Sequence, residues 1–220
     1  MYIANTQQAE IGTWISNNGG SETVAEDFES IDPGWYGDGL NPLPLSTEVG
    51  YFAFTQNTLP GVGGSSYNGT SDTTTKAIHV IEDDGQQWGR YNTIFEGDKW
   101  LDSADVTEIL LTLTIDTKAL YFYMTDPSYV GATTQATSDG VSEYWYHGDA
   151  DTINAGLFFV GISSDSDIES ITWSTNGHQN DGFGLDDFTT VSVPEPATML
   201  LLGTGLIGLA GLGRRRFFKM

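Results

Sequence analysis

Cysteine is absent from the 220 residues, which excludes a disulfide framework, a thiolate metal site and a cysteine nucleophile. Basic side chains are scarce. Eight Lys and Arg stand against thirty Asp and Glu, for a formal charge of −22. A surface of that sign repels phosphate backbones and anionic lipid, so nucleic acid is excluded as a partner. Signatures of the common hydrolases are missing too: there is no GxSxG, and His79, His147 and His178 lack metal-ligand spacing. A glycosidase needs two carboxylates across a cleft, but with so many acids a pair can be proposed anywhere. The expectation is therefore a protein that is not an enzyme and has no resident cofactor. No long stretch shows helical periodicity, and Asp102-Ser103-Ala104-Asp105 is the one helical turn expected upstream of the C-terminal segment. Met1-Tyr2-Ile3-Ala4-Asn5-Thr6 has neither a basic start nor an apolar run, so it is not a secretory signal peptide. If the chain is exported, a leader is expected upstream of Met1; the alternative is a cytosolic protein.

What is present points to strands. Hydrophobic residues make up 39% and aromatics 12%, enough apolar surface to build a core. Period-two alternation recurs at short intervals between Gly, Asn and Asp. It predicts strands at Glu10–Ile15, Tyr51–Thr55, Ala77–Ile81, Arg90–Phe95, Glu108–Ile115 and Ala119–Met124. Further strands are expected at Glu143–His147, Leu157–Ile162, Ser170–Ser174 and Leu185–Val193, with turns at Asn18-Gly19, Asn68-Gly69 and Asn176-Gly177. Asn68-Gly69-Thr70 also fits a glycosylation sequon, but it is read as a hairpin turn. Many short strands so spaced imply an all-β chain: an antiparallel β-sandwich of jelly-roll, lectin-like type over residues 1–192.

Residues 193–220 are built differently. Up to Val193 the chain carries 29 acids against 4 bases, a balance of −25; from Pro194 on it carries 1 acid against 4 bases, a balance of +3. Pro194-Glu195-Pro196 can continue neither a helix nor a ladder, because each Pro fixes φ and lacks a donor. Such an extended stretch is what a protease or transpeptidase cleft grips. Ala197 to Gly213 follows without a charge, rich in Leu and Gly. As a helix it is on the order of 25 Å long, slightly short of a ~30 Å hydrocarbon core, and spans with local thinning. Arg214-Arg215-Arg216 then closes the run, and the positive-inside rule keeps this end cytoplasmic with the acidic body outside.

Val193-Pro194-Glu195-Pro196-Ala197, an apolar Leu/Gly run and three arginines, in that order at the chain end, closely resemble the PEP-CTERM sorting signal. The resemblance extends upstream: Leu157–Ile162, Ile168–Trp173 and Asp181–Phe188 are similar to the closing strands of many ectodomains of that family. It implies a substrate of exosortase, a membrane-embedded enzyme that recognises the Pro-Glu-Pro site, in a Gram-negative bacterium that makes exopolysaccharide and biofilm. The implied route is export, anchoring in the inner membrane through residues 197–213, then processing and residence at the cell surface or in the extracellular matrix. Exopolysaccharide is a further candidate partner.

Two ligand classes remain candidates. Asp181, Asp186 and Asp187 offer the hard oxygens that calcium prefers, with Asp165, Asp167 and Glu169 close in sequence. The latter three begin like an EF-hand loop, but Ser170 stands where that loop needs Gly, so the motif fails. Solvated turn acids are the simpler reading. Carbohydrate is the second class, since Trp35-Tyr36 and Tyr144-Trp145-Tyr146 supply stacking rings when exposed and core rings when buried.

Overall fold

The computed structural model describes residues 2–4, 8–37, 43–54, 78–82, 97–104, 106, 108–128, 130–148, 156–175, 182–192 and 204. The first half contributes β1 (Tyr2–Ala4), α1 (Gln8–Asn17), β2 (Ser21–Glu26), β3 (Gly34–Tyr36), β4 (Leu45–Ser46), β5 (Gly50–Phe54), β6 (Ile78–Glu82) and β7 (Lys99–Asp102). The second half contributes β8 (Glu108–Leu113), β9 (Ala119–Thr125), β10 (Thr133–Ser138), β11 (Val141–Tyr146), β12 (Leu157–Ser163), β13 (Ile168–Ser174) and β14 (Gly184–Ser192).

They form two antiparallel sheets. One runs β1-β12-β9-β14-β7-β6-β3, with β2 also paired to β14; the other runs β11-β10-β13-β8-β5-β4. From β8 on, the chain crosses between sheets at nearly every connection, so neighbours in a sheet are distant in sequence. The core lies between the sheets, where the rings of Phe52, Phe122, Trp173 and Phe188 meet at centroid distances of 5.0–6.2 Å. Edge-to-face and offset contacts at this range suit the ring quadrupoles and add to the burial of large apolar area. The sandwich is the class of fold expected, and all the pairings among the described residues are antiparallel.

A second, smaller core sits on the outer face of the larger sheet. Ala119, Tyr121, Phe159 and Val191 are buried there under Ile11, Trp14 and Ile15 of α1. Strand β9 is consequently covered on both faces: Leu120, Phe122 and Met124 point into the sandwich, while Tyr121 and Tyr123 lie on the helix side. The strand expected at Glu10–Ile15 is thus corrected to a helix. Ile11, Trp14 and Ile15 recur at i, i+3 and i+4, which makes one apolar stripe along a helix. Beyond Asn17 the amides of Asn18, Gly19 and Gly20 bond Trp14, Ser16 and Ile15 carbonyls at 3.1, 3.3 and 3.0 Å. Gly19 and Gly20 take φ of 119° and 77°, so Asn18-Gly19 ends a helix rather than turning a hairpin.

Asp102-Ser103-Ala104-Asp105 is also corrected. Asp102 closes β7, its Oδ1 accepts the Ala104 amide at 2.7 Å, and Ala104 has φ of 47°, a left-handed turn with no helix to cap. Met1–Thr6 includes an edge strand, β1, paired to β12. Strands β2, β3, β4, β7 and β10 were not expected from the alternation. The expected strand at Arg90–Phe95 and the turns at Asn68-Gly69 and Asn176-Gly177 lie outside the described residues.

Candidate functional site

The C-terminal candidates fall beyond the last strand. Strand β14 ends at Ser192, and Val193, Pro194, Glu195, Pro196, Ala197 and Arg214, Arg215 and Arg216 lie outside the described residues. Of the apolar run only Thr204 is described, and it is helical. Among the described residues no helix is long and apolar enough to cross a membrane.

The structure places two of the three calcium candidates. Asp186 and Asp187 sit in the middle of β14, where the strand bulges against both β9 and β2. Asp187 takes φ of 55°, and its amide bonds Asp186 Oδ1 at 2.8 Å. Its own Oδ1 accepts from Thr189 Oγ1 at 3.4 Å. Burial pushes the Asp187 carboxyl above its ordinary range; the Thr189 hydrogen bond opposes this, and Asp27 and Glu22 nearby add to the rise. Asp186 is wholly buried. Bonds within the bulge take up one oxygen of each carboxylate, and among the described residues no group of three His, Asp or Glu is arranged to hold a metal. Asp181 lies outside the described residues, while Asp165 and Asp167 are exposed between β12 and β13.

The aromatic candidates separate by face. Trp35 of β3 is half-buried and stacks on the His79 ring, 4.2 Å between centroids and 6° between planes. Burial lowers the His79 pKa below its ordinary value, and Asp102 opposes that shift. Trp35 is thereby occupied with packing. The β11 triplet behaves otherwise: Tyr144 and Tyr146 are 72% and 48% exposed, while Trp145, between them, is half-buried. Strand alternation explains the difference, because Val141, Glu143 and Trp145 point toward the other sheet and Ser142, Tyr144 and Tyr146 point out. On the inner side, Val141, Glu143 and Trp145 line a cleft of about 260 Å³ whose far wall includes Ile162, Ser164 and Asp165.

The outer side carries half-buried and exposed side chains in rows across the strands. Register aligns Tyr144, Gln135, Thr172 and Leu110 in one row across four strands. The next row holds Ser142, Thr137, Ser170, Thr112 and Tyr51, the last 45% exposed. Within it Thr137 Oγ1 and Ser142 Oγ are 2.8 Å apart. A third row joins Tyr146, Thr133, Ser174 and Glu108. Glu108 is the one charged residue in these rows. The spacing of Tyr144 and Tyr146 pointed to β11; nothing in the sequence marked the hydroxyl-bearing strands β10 and β13 as its neighbours.

Fold and site together define an antiparallel β-sandwich with exposed tyrosines on one outer face that carries few charges, its last strand ending at Ser192. Residues 192–216 match the family model of the PEP-CTERM protein-sorting motif. No curated protein matches the chain. Among solved structures it is similar to the K2 cleaved adhesin domain of Lys-gingipain, at 12% identity over 79% of this chain and 99% of that one, with a TM-score of 0.42. It is also similar to the cycloisomaltooligosaccharide glucanotransferase of Paenibacillus sp., complexed with cycloisomaltoheptaose, at 9% identity over 68% of this chain and 19% of that one, with a TM-score of 0.32. Identities this low leave each protein's activity its own.

Proposed function

We propose that the chain is an exported, non-catalytic surface or extracellular-matrix protein, delivered by its tail and released by exosortase. One observation carries this reading: the sorting-motif match at 192–216 starts where the last strand of the sandwich ends, at Ser192. A processing enzyme acting at Pro194–Pro196 would cut outside the folded body and leave every described strand intact. The apolar run 197–213 holds the precursor in the inner membrane, Arg214–Arg216 keep its end cytoplasmic, and the acidic body stands on the far side. The proposed source is a Gram-negative bacterium that makes exopolysaccharide and biofilm. No resident metal is part of the proposal.

The test is expression of the full chain behind a secretory leader in a host carrying exosortase. The unaltered chain should leave the membrane fraction as a shortened form, whereas Glu195→Ala should accumulate untrimmed in the membrane. A chain that stays in the soluble fraction at full length, with or without the enzyme, overturns the reading.

A second reading is favoured by the exposed Tyr144 and Tyr146: a lectin-like module that holds carbohydrate. The antiparallel sandwich, with most connections from β8 to β14 passing between its two sheets, supports this reading at the level of fold. Retention on a glycan surface tests it.

A further inference from the structure

We propose that the outer face of the six-stranded sheet, from β11 across to β5, is a binding platform for neutral glycan chains lying across the strands; this rests on the lectin-like reading above. Charge makes the first argument. In a chain of −22, these rows carry a single acid, Glu108, at a corner, and Glu169, exposed at the β13 bulge beside Ser170, is the one further acid next to them. An anionic polymer would be repelled by the surrounding body, and a cationic one would settle on the acids elsewhere. What the face does offer is side-chain hydroxyls and the Gln135 amide, which donate and accept, and so match a partner whose own polar groups are hydroxyls.

Ring exposure makes the second argument. Tyr144 and Tyr146 stand on the same side of one edge strand, and Tyr51 stands four strands away, about 19 Å across at ordinary strand spacing. Exposed rings at both ends of a polar field suit the apolar faces of sugar rings, with hydroxyls met in between. The inner cleft fits this ligand less well, because Glu143 and Asp165 line it with charge and Trp145 is half-buried there.

The experiment is native electrophoresis of the full chain, in a detergent without a sugar headgroup, through gels containing hydroxyethylcellulose, dextran, galactomannan or alginate. At least one neutral polymer should slow the chain, and alginate should not. The Tyr144→Ala/Tyr146→Ala double variant should bind about tenfold more weakly with an unchanged thermal midpoint, since both rings are exposed. Thr172→Arg, which plants a long side chain mid-face, should weaken retention as well, and Trp145→Ala should leave it unaltered. Loss of binding in Trp145→Ala, with the tyrosine variant intact, would move the sugar to the cleft and overturn the platform while the lectin reading stands. Retardation by alginate equal to that by the neutral polymers overturns the charge argument. No retardation by any polymer ends the lectin reading itself.

Discussion

His147 shows what burial does to one titratable group in this sandwich. Its ring is 7% exposed, packs edge-on against Phe158 and holds Thr134 Oγ1 at 2.7 Å through Nε2. Placing the proton on Nε2 lets the ring donate to Thr134, whose hydroxyl then donates to Met124 Sδ, 3.7 Å away. Burial lowers the pKa from 6.5 to about 4. As pH falls from about 6.5 to about 4, the unfolded chain takes up a proton that the folded chain refuses, so stability is lost across that window and levels off below it. The loss is on the order of 3 kcal/mol. Glu26 and Asp187, both raised by burial, work the other way: protonation relieves them, and their strain returns as pH rises through their folded pKa. Denaturant unfolding from pH 7 to pH 4 should therefore show His147→Gln losing less stability than the unaltered chain. Parallel losses in the two would show that the imidazole is not the group responsible.

At the scale of elements, α1 is held by one close approach. A Cβ on Gly161 of β12 would come within 2.6 Å of the Trp14 ring, so only a glycine lets the helix lie this near the sheet. Trp14 uses that proximity to meet Phe159 and Tyr121 edge-on, at 5.7 and 6.3 Å. Gly161→Ala should push the helix off and lower stability by about 1–3 kcal/mol, the usual cost of overpacking. Gly12, inside the same helix, has open space where a Cβ would go, so Gly12→Ala should raise stability by roughly 0.5–1 kcal/mol. Opposite shifts of the thermal midpoint check both; a helix that adds nothing to the fold would leave both unmoved. Edge strand β11 meets a different demand. Its backbone edge is a template for pairing with another chain, but Glu143 points inward beside it, and a charge so placed disfavours a second strand docking there.

For the whole molecule, charge outweighs every other surface property. A body with 29 acids and 4 bases repels itself in the folded state, and dissolved salt shortens the range of that repulsion from about 30 Å at 0.01 M to about 10 Å at 0.1 M. The thermal midpoint should rise as sodium chloride goes from about 0.01 M to about 0.5 M. A flat or falling midpoint would mean that the acids are paired or spread well enough to carry no net penalty. The same charge keeps the body dispersed in water, and it repels anionic polymers and lipid. That leaves neutral and cationic partners as the ones the molecule can approach closely.

Strand content and the change of character at Pro194 were legible in the sequence because both are local. Alternation in Ala119–Met124 and Leu157–Ile162 needs only neighbouring side chains, and a proline pair, an apolar run and three arginines state their preferred surroundings without help from the rest of the chain. Strand β10 was not legible: Thr133-Thr134-Gln135-Ala136-Thr137-Ser138 has no bulky apolar side chain to mark a buried face, and it is a strand because β13 and β11 pair with it on both sides. Helix α1 hid behind its shortness, since one apolar stripe of three residues reads as alternation until a sheet is there to receive it. Which of Tyr144, Trp145 and Tyr146 points outward, and that hydroxyls from β10 and β13 flank the two that do, was decided only when strands far apart in sequence came into register. Pairing between distant strands is set by the packing of the whole core, and no local pattern carries it.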